Sequence, residues 1–228
     1  MLNYEAFFNE CEVIHIKNEE HWHQLRATGI GGSDVGVLIN ESKYKIPFQL
    51  YQEKVGEVKP EFITNDAIEK GNRLEQPLVD VFKALYPQYQ LIDTKDISLK
   101  SKEYAFMNAN LDGALIALDG RKGVLEIKST TIQNMKMLEQ WKKDTIPISY
   151  YCQCLHYLAT TKFDFCILYA ILDFPWKGDL GQQETRVVII NREDVQEDID
   201  LITTNEKEFW GRIEEKDPPP FLSRKINI

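Results

Sequence analysis

The sequence predicts an α/β (α+β) fold in which a central mixed β-sheet is flanked by helices. Two observations carry it. Strand-like apolar runs gather between about residues 89 and 190, and helical patterns lie before and after them. Hydrophobic residues make up 43% and charged residues 28%, enough apolar material for a sizeable core under a charged surface. The 228 residues fit one domain, 1–228, with an N-terminal helical part at about 18–86, a sheet core at about 87–190 and a C-terminal helix and tail at 191–228. No apolar run approaches the roughly 20 residues of a membrane span. The N-terminus shows no basic region followed by an apolar run, so the expectation is no membrane and a cytoplasmic location.

Taken in order, Glu19 to Ala27 reads as a short helix capped by Asn18. Gly29, Gly31 and Gly32 then lead to Ser33, which reads as the N-cap of a second helix. Glycines at such a turn let an anion approach free backbone N–H groups. Arg26 offers a forked partner for a phosphate and Ser33 a hydroxyl. A plain helix–turn–helix corner with nothing bound has the same pattern, and the segment alone does not choose. Pro47 to Gly56 is another short helix with proline in its first turn. Thr64 opens a longer helical pattern to about Tyr86, with Ile68, Leu74, Leu78, Val81 and Phe82 as its apolar face. Glu75 lies beside that stripe, and Pro77 is expected to interrupt the helix just after it.

Tyr89 to Leu99 and Tyr104 to Met107 read as strands, leading to the run NLDGALIALDGRKGVLEIKST at Asn110 to Thr130. Its two apolar segments flank Asp119-Gly120, the signature of a β-hairpin. Helices follow at Gln133 to Lys143 and Pro147 to Ala159, the second with Gln153 and Tyr157 on one face. Phe163 to Leu172 and Thr185 to Ile190 are apolar strands, and Asn191 to Lys216 is an amphipathic helix before a loose tail, KDPPPFLSRKINI.

The hairpin carries the densest chemistry. Residues two apart on a strand share a face, so Glu126 and Lys128 point one way while Leu125 and Ile127 point the other. Pairing across the turn sets Asp112 beside Glu126. Two adjacent carboxylates repel unless a cation lies between them, and oxygen ligands of this kind suit Mg²⁺ or Mn²⁺. Lys128 is then placed to orient or help deprotonate a water there. A surface hairpin with its charges in solvent fits the same residues.

The formal charge of −9 argues against coating nucleic acid by general attraction, though not against an enzyme with a local basic surface. One cysteine near the start (Cys11) and three later (Cys152, Cys154, Cys166) raise the question of an iron–sulfur cluster. Cys152 and Cys154 diverge by roughly 200° on a helix, and no C-x-x-C spacing is present, so buried free thiols are expected.

Five pieces in one order, LRATGIGGSDVGVL, GNRLEQPLVDVF, MNANLDGALI, GVLEIKST and QCLHY, resemble the YqaJ-type viral recombinase family. That family includes the phage lambda-type exonucleases of the PD-(D/E)xK nuclease superfamily. The resemblance runs across residues 22 to 157 and implies a restriction-endonuclease-like core. Leu111 stands where the superfamily's name has proline, and Gly31 where some relatives carry a hydroxyl near the phosphate pocket.

By that resemblance, Asp112, Glu126 and the Ile127 carbonyl hold two Mg²⁺ (or Mn²⁺) ions, with Glu75 contributing directly or through water. Lys128 positions the attacking water, Gln153 supports the site, and Arg26 and Ser33 receive a terminal 5′-phosphate. The implied activity is 5′ to 3′ digestion of linear double-stranded DNA, leaving 3′ overhangs for recombination. Implied partners are duplex DNA ends, a single-strand annealing recombinase and two further copies in a homotrimer ring, in a bacterial host of phage or prophage origin. Two rival readings are an endonuclease of the same superfamily, which cuts closed circles, and a non-catalytic DNA-binding protein on the nuclease fold.

Overall fold

The computed structural model describes residues 3–42, 44–60, 65–142, 145–176 and 182–221. In chain order the elements are α1 (Tyr4–Phe7), β1 (Cys11–His15), α2 (Glu19–Ala27), β2 (Ile30–Gly31), α3 (Gly32–Leu38), α4 (Pro47–Lys54) and α5 (Asp66–Leu85). The strands β3 (Gln90–Ile92), β4 (Ile97–Ser101), β5 (Met107–Ala109), β6 (Gly113–Ile116) and β7 (Lys122–Thr131) follow. Then come α6 (Met135–Glu139), α7 (Ile148–Thr161), β8 (Phe165–Phe174), β9 (Gln182–Asn191) and, after a 3-10 turn at Arg192–Val195, α8 (Gln196–Glu215).

The α/β class is as expected, but the strands divide between two mixed sheets. One has the order β3-β6-β7-β8-β9 and the other β1-β4-β5-β2. The stretch Tyr89 to Leu99 is therefore two strands rather than one. It turns at residues 93–96, where Thr94 donates to the Leu111 carbonyl, and its halves join different sheets. The expected strand at Tyr104 to Met107 starts only at Met107, and β1, unforeseen, pairs antiparallel with β4.

The hairpin forms as drawn. Gly113 pairs with Leu125 and Ile116 with Lys122, and Gly120 closes the turn at φ 86°, a conformation that favours glycine. Leu125 and Ile127 pack with Val79 and Phe82 of α5. The alternate residue Val124 packs in the larger core that α7 shares, so Glu126 faces α7. Central helix α7 touches both sheets, α3 and α8.

Helix α5 departs from expectation in three ways. Its cap is Asn65, whose side chain accepts from the Ala67 and Ile68 N–H groups, while Thr64 lies outside the described residues. It runs through Pro77 unbroken. A mid-helix proline costs about 3 kcal/mol, and burial of Val79 and Phe82 beyond it, at about 1.5–3 kcal/mol each, offsets that. Those two residues, three apart, form the buried contact, while Val81 is turned away and 43% exposed. The expected helix at Gln133 to Lys143 is the shorter α6, and Lys143 lies outside the described residues, as do residues 222–228 of the tail.

Candidate active site

The hairpin brings two carboxylates and one ammonium together. Asp112 sits one residue before β6, and its Oδ2 accepts a 2.7 Å hydrogen bond from the Ile127 N–H. That bond ties it to the strand that carries Glu126 and Lys128. Glu126 is 1% exposed; its Oε1 is in contact with Lys128 Nζ, while its Oε2 is buried with no hydrogen-bond partner among the described residues. Lys128 Nζ also lies 5.1 Å from the ring centroid of Tyr150, in the first turn of α7.

The electrostatics follow from this crowding. Burial, and next the Asp112 charge, push the Glu126 carboxyl up to about 8. Burial likewise raises Asp112 against the pull of Lys128 and the Ile127 N–H. Burial would lower Lys128, but the Glu126 and Asp112 charges outweigh it and hold the ammonium protonated. Glu75, at the solvent-facing edge of α5, completes the acidic set. Partial desolvation, then the Asp112 charge, raise its carboxyl to about 6. Lys128 thus faces three acids, of which Glu126 is buried and Asp112 half-buried, and Lys95 adds a second positive charge near Glu75.

An orphaned, buried carboxylate oxygen beside a second, half-buried carboxylate fits a hard divalent cation, which can bind both acids at once. Among the described residues no three acidic, His or Cys side chains close to ligating distance. The remaining ligands of a cation there would be backbone oxygen, such as the Ile127 carbonyl, and water.

The glycine corner forms a second cluster. Arg26 Nη2 donates to Ser33 Oγ at 2.9 Å, so the two predicted residues do meet. Ser33, however, is not the cap. Helix α3 starts at Gly32, because Asp34 reaches back to accept from the Gly31 N–H at 3.0 Å. Asp34 is 7% exposed and lies 2.9 Å from Lys54 Nζ and 3.9 Å from Arg26 Nη2. Burial alone would raise its carboxyl; the Lys54 and Arg26 charges, with the hydrogen bonds from Lys54 and Gly31, hold it below the usual carboxylate range. Lys54 also donates to the Arg26 carbonyl at 2.7 Å. The guanidinium lies 4.9 Å from the ring centroid of Trp22.

Gln153 and Tyr157 stand between the two clusters. The Gln153 amide donates to Tyr157 Oη at 2.9 Å, and a Cβ on Gly32 would come within 2.9 Å of Gln153 Cγ and 2.7 Å of Tyr157. Glycine at 32 is what lets α3 seat against α7. Burial raises the Tyr157 phenol first, and the Glu126 and Asp112 charges raise it further, so it lies within reach of the acidic pair.

Sequence reasoning missed Asp34, Lys54 and a fully buried ion pair, His156 with Glu206. His156 Nδ1 is 3.0 Å from both Glu206 oxygens and Nε2 is 2.9 Å from the Asn108 carbonyl, so both ring nitrogens are used as donors. The signals were faint: an acid three residues after Gly31, the capping-box spacing, and one histidine in an apolar helix. Nothing local marks Lys54. The four cysteines are buried free thiols; burial pushes Cys11, whose thiol donates to the Thr160 carbonyl, and Cys152 each up to about 12.

Residues 21–164 match the model of the YqaJ-like viral recombinase domain. A protein of Bacillus subtilis (strain 168), uncharacterized protein YqaJ, is 32% identical over 199 residues that cover 85% of this chain; the chain spans 56% of that relative's length. The fold is similar to an alkaline exonuclease from Laribacter hongkongensis at 17% identity, with a TM-score of 0.63 over 87% of this chain and 94% of the other. The same exonuclease in complex with dAMP gives 0.62 at 18% identity, with the same coverage. A phage related exonuclease from Haemophilus somnus 129PT gives 0.52 at 14% identity over 86% of this chain and 99% of the other. The shared architecture is the mixed α/β fold, two mixed sheets flanked by helices.

Proposed function

The chain belongs to the YqaJ-like viral recombinase domain family, and from that premise we propose that it is a metal-dependent nuclease that digests linear double-stranded DNA from the 5′ end to leave 3′ overhangs. The observation that carries the reading is Asp112 tied by hydrogen bond to the strand of Glu126 and Lys128, with one Glu126 oxygen buried and unpartnered among the described residues. In this reading Asp112, Glu126 and the Ile127 carbonyl would hold two Mg²⁺ (or Mn²⁺) ions, with Glu75 contributing directly or through water. When bound, such ions supply positive charge that stabilises the attacking and leaving oxygens of an in-line displacement.

The chain's own groups do the rest. Lys128, kept protonated by its acidic neighbours, orients the attacking water and offsets charge gathering on the phosphate. Gln153, fixed by Tyr157, lines the approach. Arg26 and Ser33 grip the terminal 5′-phosphate, so the site engages an end and works inward. The resulting 3′ single strand is the substrate of an annealing recombinase, and a ring of three copies around the duplex reconciles a net charge of −9 with DNA binding, because only the inner wall has to be positive.

The test is digestion of end-labelled linear duplex with and without Mg²⁺, alongside a covalently closed circle. The expected result is Mg²⁺-dependent loss of the 5′-labelled strand with the circle intact. Cutting of the circle contradicts an end-dependent enzyme, and inactivity on every DNA contradicts a nuclease.

A further inference from the structure

Arg26 and Ser33 do not form their corner unaided. Lys54, at the end of α4 and 28 residues away in sequence, inserts a side chain only 6% exposed beneath them. Its ammonium is shared between two acceptors, the Arg26 carbonyl at 2.7 Å and Asp34 Oδ2 at 2.9 Å. Asp34 Oδ2 also accepts from the Gly31 N–H. One lysine therefore joins the end of α2, the glycine turn and the start of α3.

The division of Asp34's oxygens shows what this accomplishes. Oδ2 is claimed by Lys54 and Gly31, while Oδ1 stays 3.9 Å from Arg26 Nη2, beyond hydrogen-bond range. The guanidinium turns instead to Ser33 Oγ at 2.9 Å and keeps its other N–H donors for an incoming group. An ionised carboxylate this close to an anion site would repel the anion and occupy the arginine. With Lys54 present, Arg26, Asp34 and Lys54 sum to one positive charge; without it they sum to zero. Arg26 is then the cation nearest to Asp34.

Resting on the 5′-phosphate reading above, we propose that Lys54 is a specificity-determining positioning residue: by neutralising Asp34 and holding the Arg26 carbonyl, it leaves the guanidinium free for a terminal phosphate. Lys54 touches no substrate in this arrangement. It acts through Asp34 and Arg26.

The experiment measures binding, in EDTA, of a short duplex carrying either a 5′-phosphate or a 5′-hydroxyl, so that neither metal nor cleavage enters. Wild type is compared with Arg26→Ala, Lys54→Met and the double variant Lys54→Met/Asp34→Asn. Wild type is expected to prefer the phosphorylated end by about tenfold or more, the scale of a charge-assisted phosphate contact, and Arg26→Ala to lose that preference. Lys54→Met is expected to retain less than about threefold, and the double variant to regain about tenfold, because the competing carboxylate is gone. A merely structural lysine would alter melting temperature across these variants but leave the phosphate preference of the folded proteins unmoved.

Lys54→Met with the full wild-type preference, or a folded double variant as indifferent as the single one, overturns the proposal. Where Lys54→Met does not fold, the double variant decides: preference kept supports the proposal, preference lost overturns it. A wild type indifferent to the phosphate, or an unchanged Arg26→Ala, overturns the phosphate reading itself and this proposal with it. A responsive Arg26→Ala beside an unaffected Lys54→Met removes this inference alone.

Discussion

Asp34 and Glu126 are both buried acids beside a lysine, yet their carboxyls are displaced in opposite directions. Asp34, 7% exposed, sits below the usual carboxylate range; Glu126, 1% exposed, is raised to about 8. Burial pushes both upward, so burial is not what separates them. Asp34 has Lys54, Arg26 and the Gly31 N–H. Glu126 has Lys128 on one oxygen, no partner for the other among the described residues, and a second carboxylate alongside. One acid is a closed structural pair and the other an open one that lacks positive charge. On the proposed reading, the corner frees an arginine and the hairpin receives a cation.

Substitutions should separate the two clusters sharply. Glu126→Gln preserves volume and removes a ligand charge. A cation's contribution is worth several kcal/mol and about 1.4 kcal/mol is tenfold, so Mg²⁺-dependent cleavage should fall by about a thousandfold or more. Its melting temperature in EDTA should hold or rise, because a buried, undercompensated carboxylate has been neutralised. A marked drop in melting temperature would mean that the hairpin acids are as closed as Asp34. Lys128→Ala should cost about a hundredfold in rate at saturating metal, the scale of one preorganised group that stabilises developing charge, while metal still binds. Equal rates for Lys128→Ala and wild type would remove Lys128 from the chemistry.

Arg26→Ala should flatten a preference for phosphorylated over hydroxyl ends that is roughly ten- to hundred-fold, from about 1.5–3 kcal/mol per guanidinium–phosphate contact. Excess Mg²⁺ should not restore the lost preference. The smallest effect is on stability in acid. The folded Asp34 carboxyl lies below its unfolded value of about 3.9. Its ion pair therefore stabilises fully above that pH and loses the contribution as pH falls through the folded value. Thermal melts from about pH 7 to about pH 3 should show wild type losing more stability than Lys54→Met/Asp34→Asn. Parallel acid profiles would break the contrast between the closed pair and the open one.

What was legible in the sequence was local. Asp119-Gly120 fixed the hairpin register, which set Asp112 beside Glu126, and the E-x-K alternation put Lys128 on the same face. Arg26 and Ser33, seven residues apart across a glycine turn, also met. Contacts that depend on distant chain were not legible. Lys54 reaches Arg26 over 28 residues and His156 reaches Glu206 over 50, and neither leaves a periodic trace. Helix α5 misled for a related reason: Pro77 reads as a stop, but the sheet beneath Val79 and Phe82 outweighs the local cost. The split of residues 89–99 between two sheets was hidden because either half alone is a good strand, and the turn is set by the Thr94 bond to Leu111.

The open pair is the centre of the account, and Mn²⁺ titration followed by the loss of the free-ion paramagnetic resonance signal tests it most directly. Wild-type protein, without DNA, should bind Mn²⁺ saturably, and Glu126→Gln, with its fold verified, should bind it at least about tenfold more weakly because one ligand charge is gone. Asp34→Asn should bind it like wild type. Equal Mn²⁺ affinity in wild type and Glu126→Gln, or no binding by wild type, would contradict a cation site at Asp112 and Glu126.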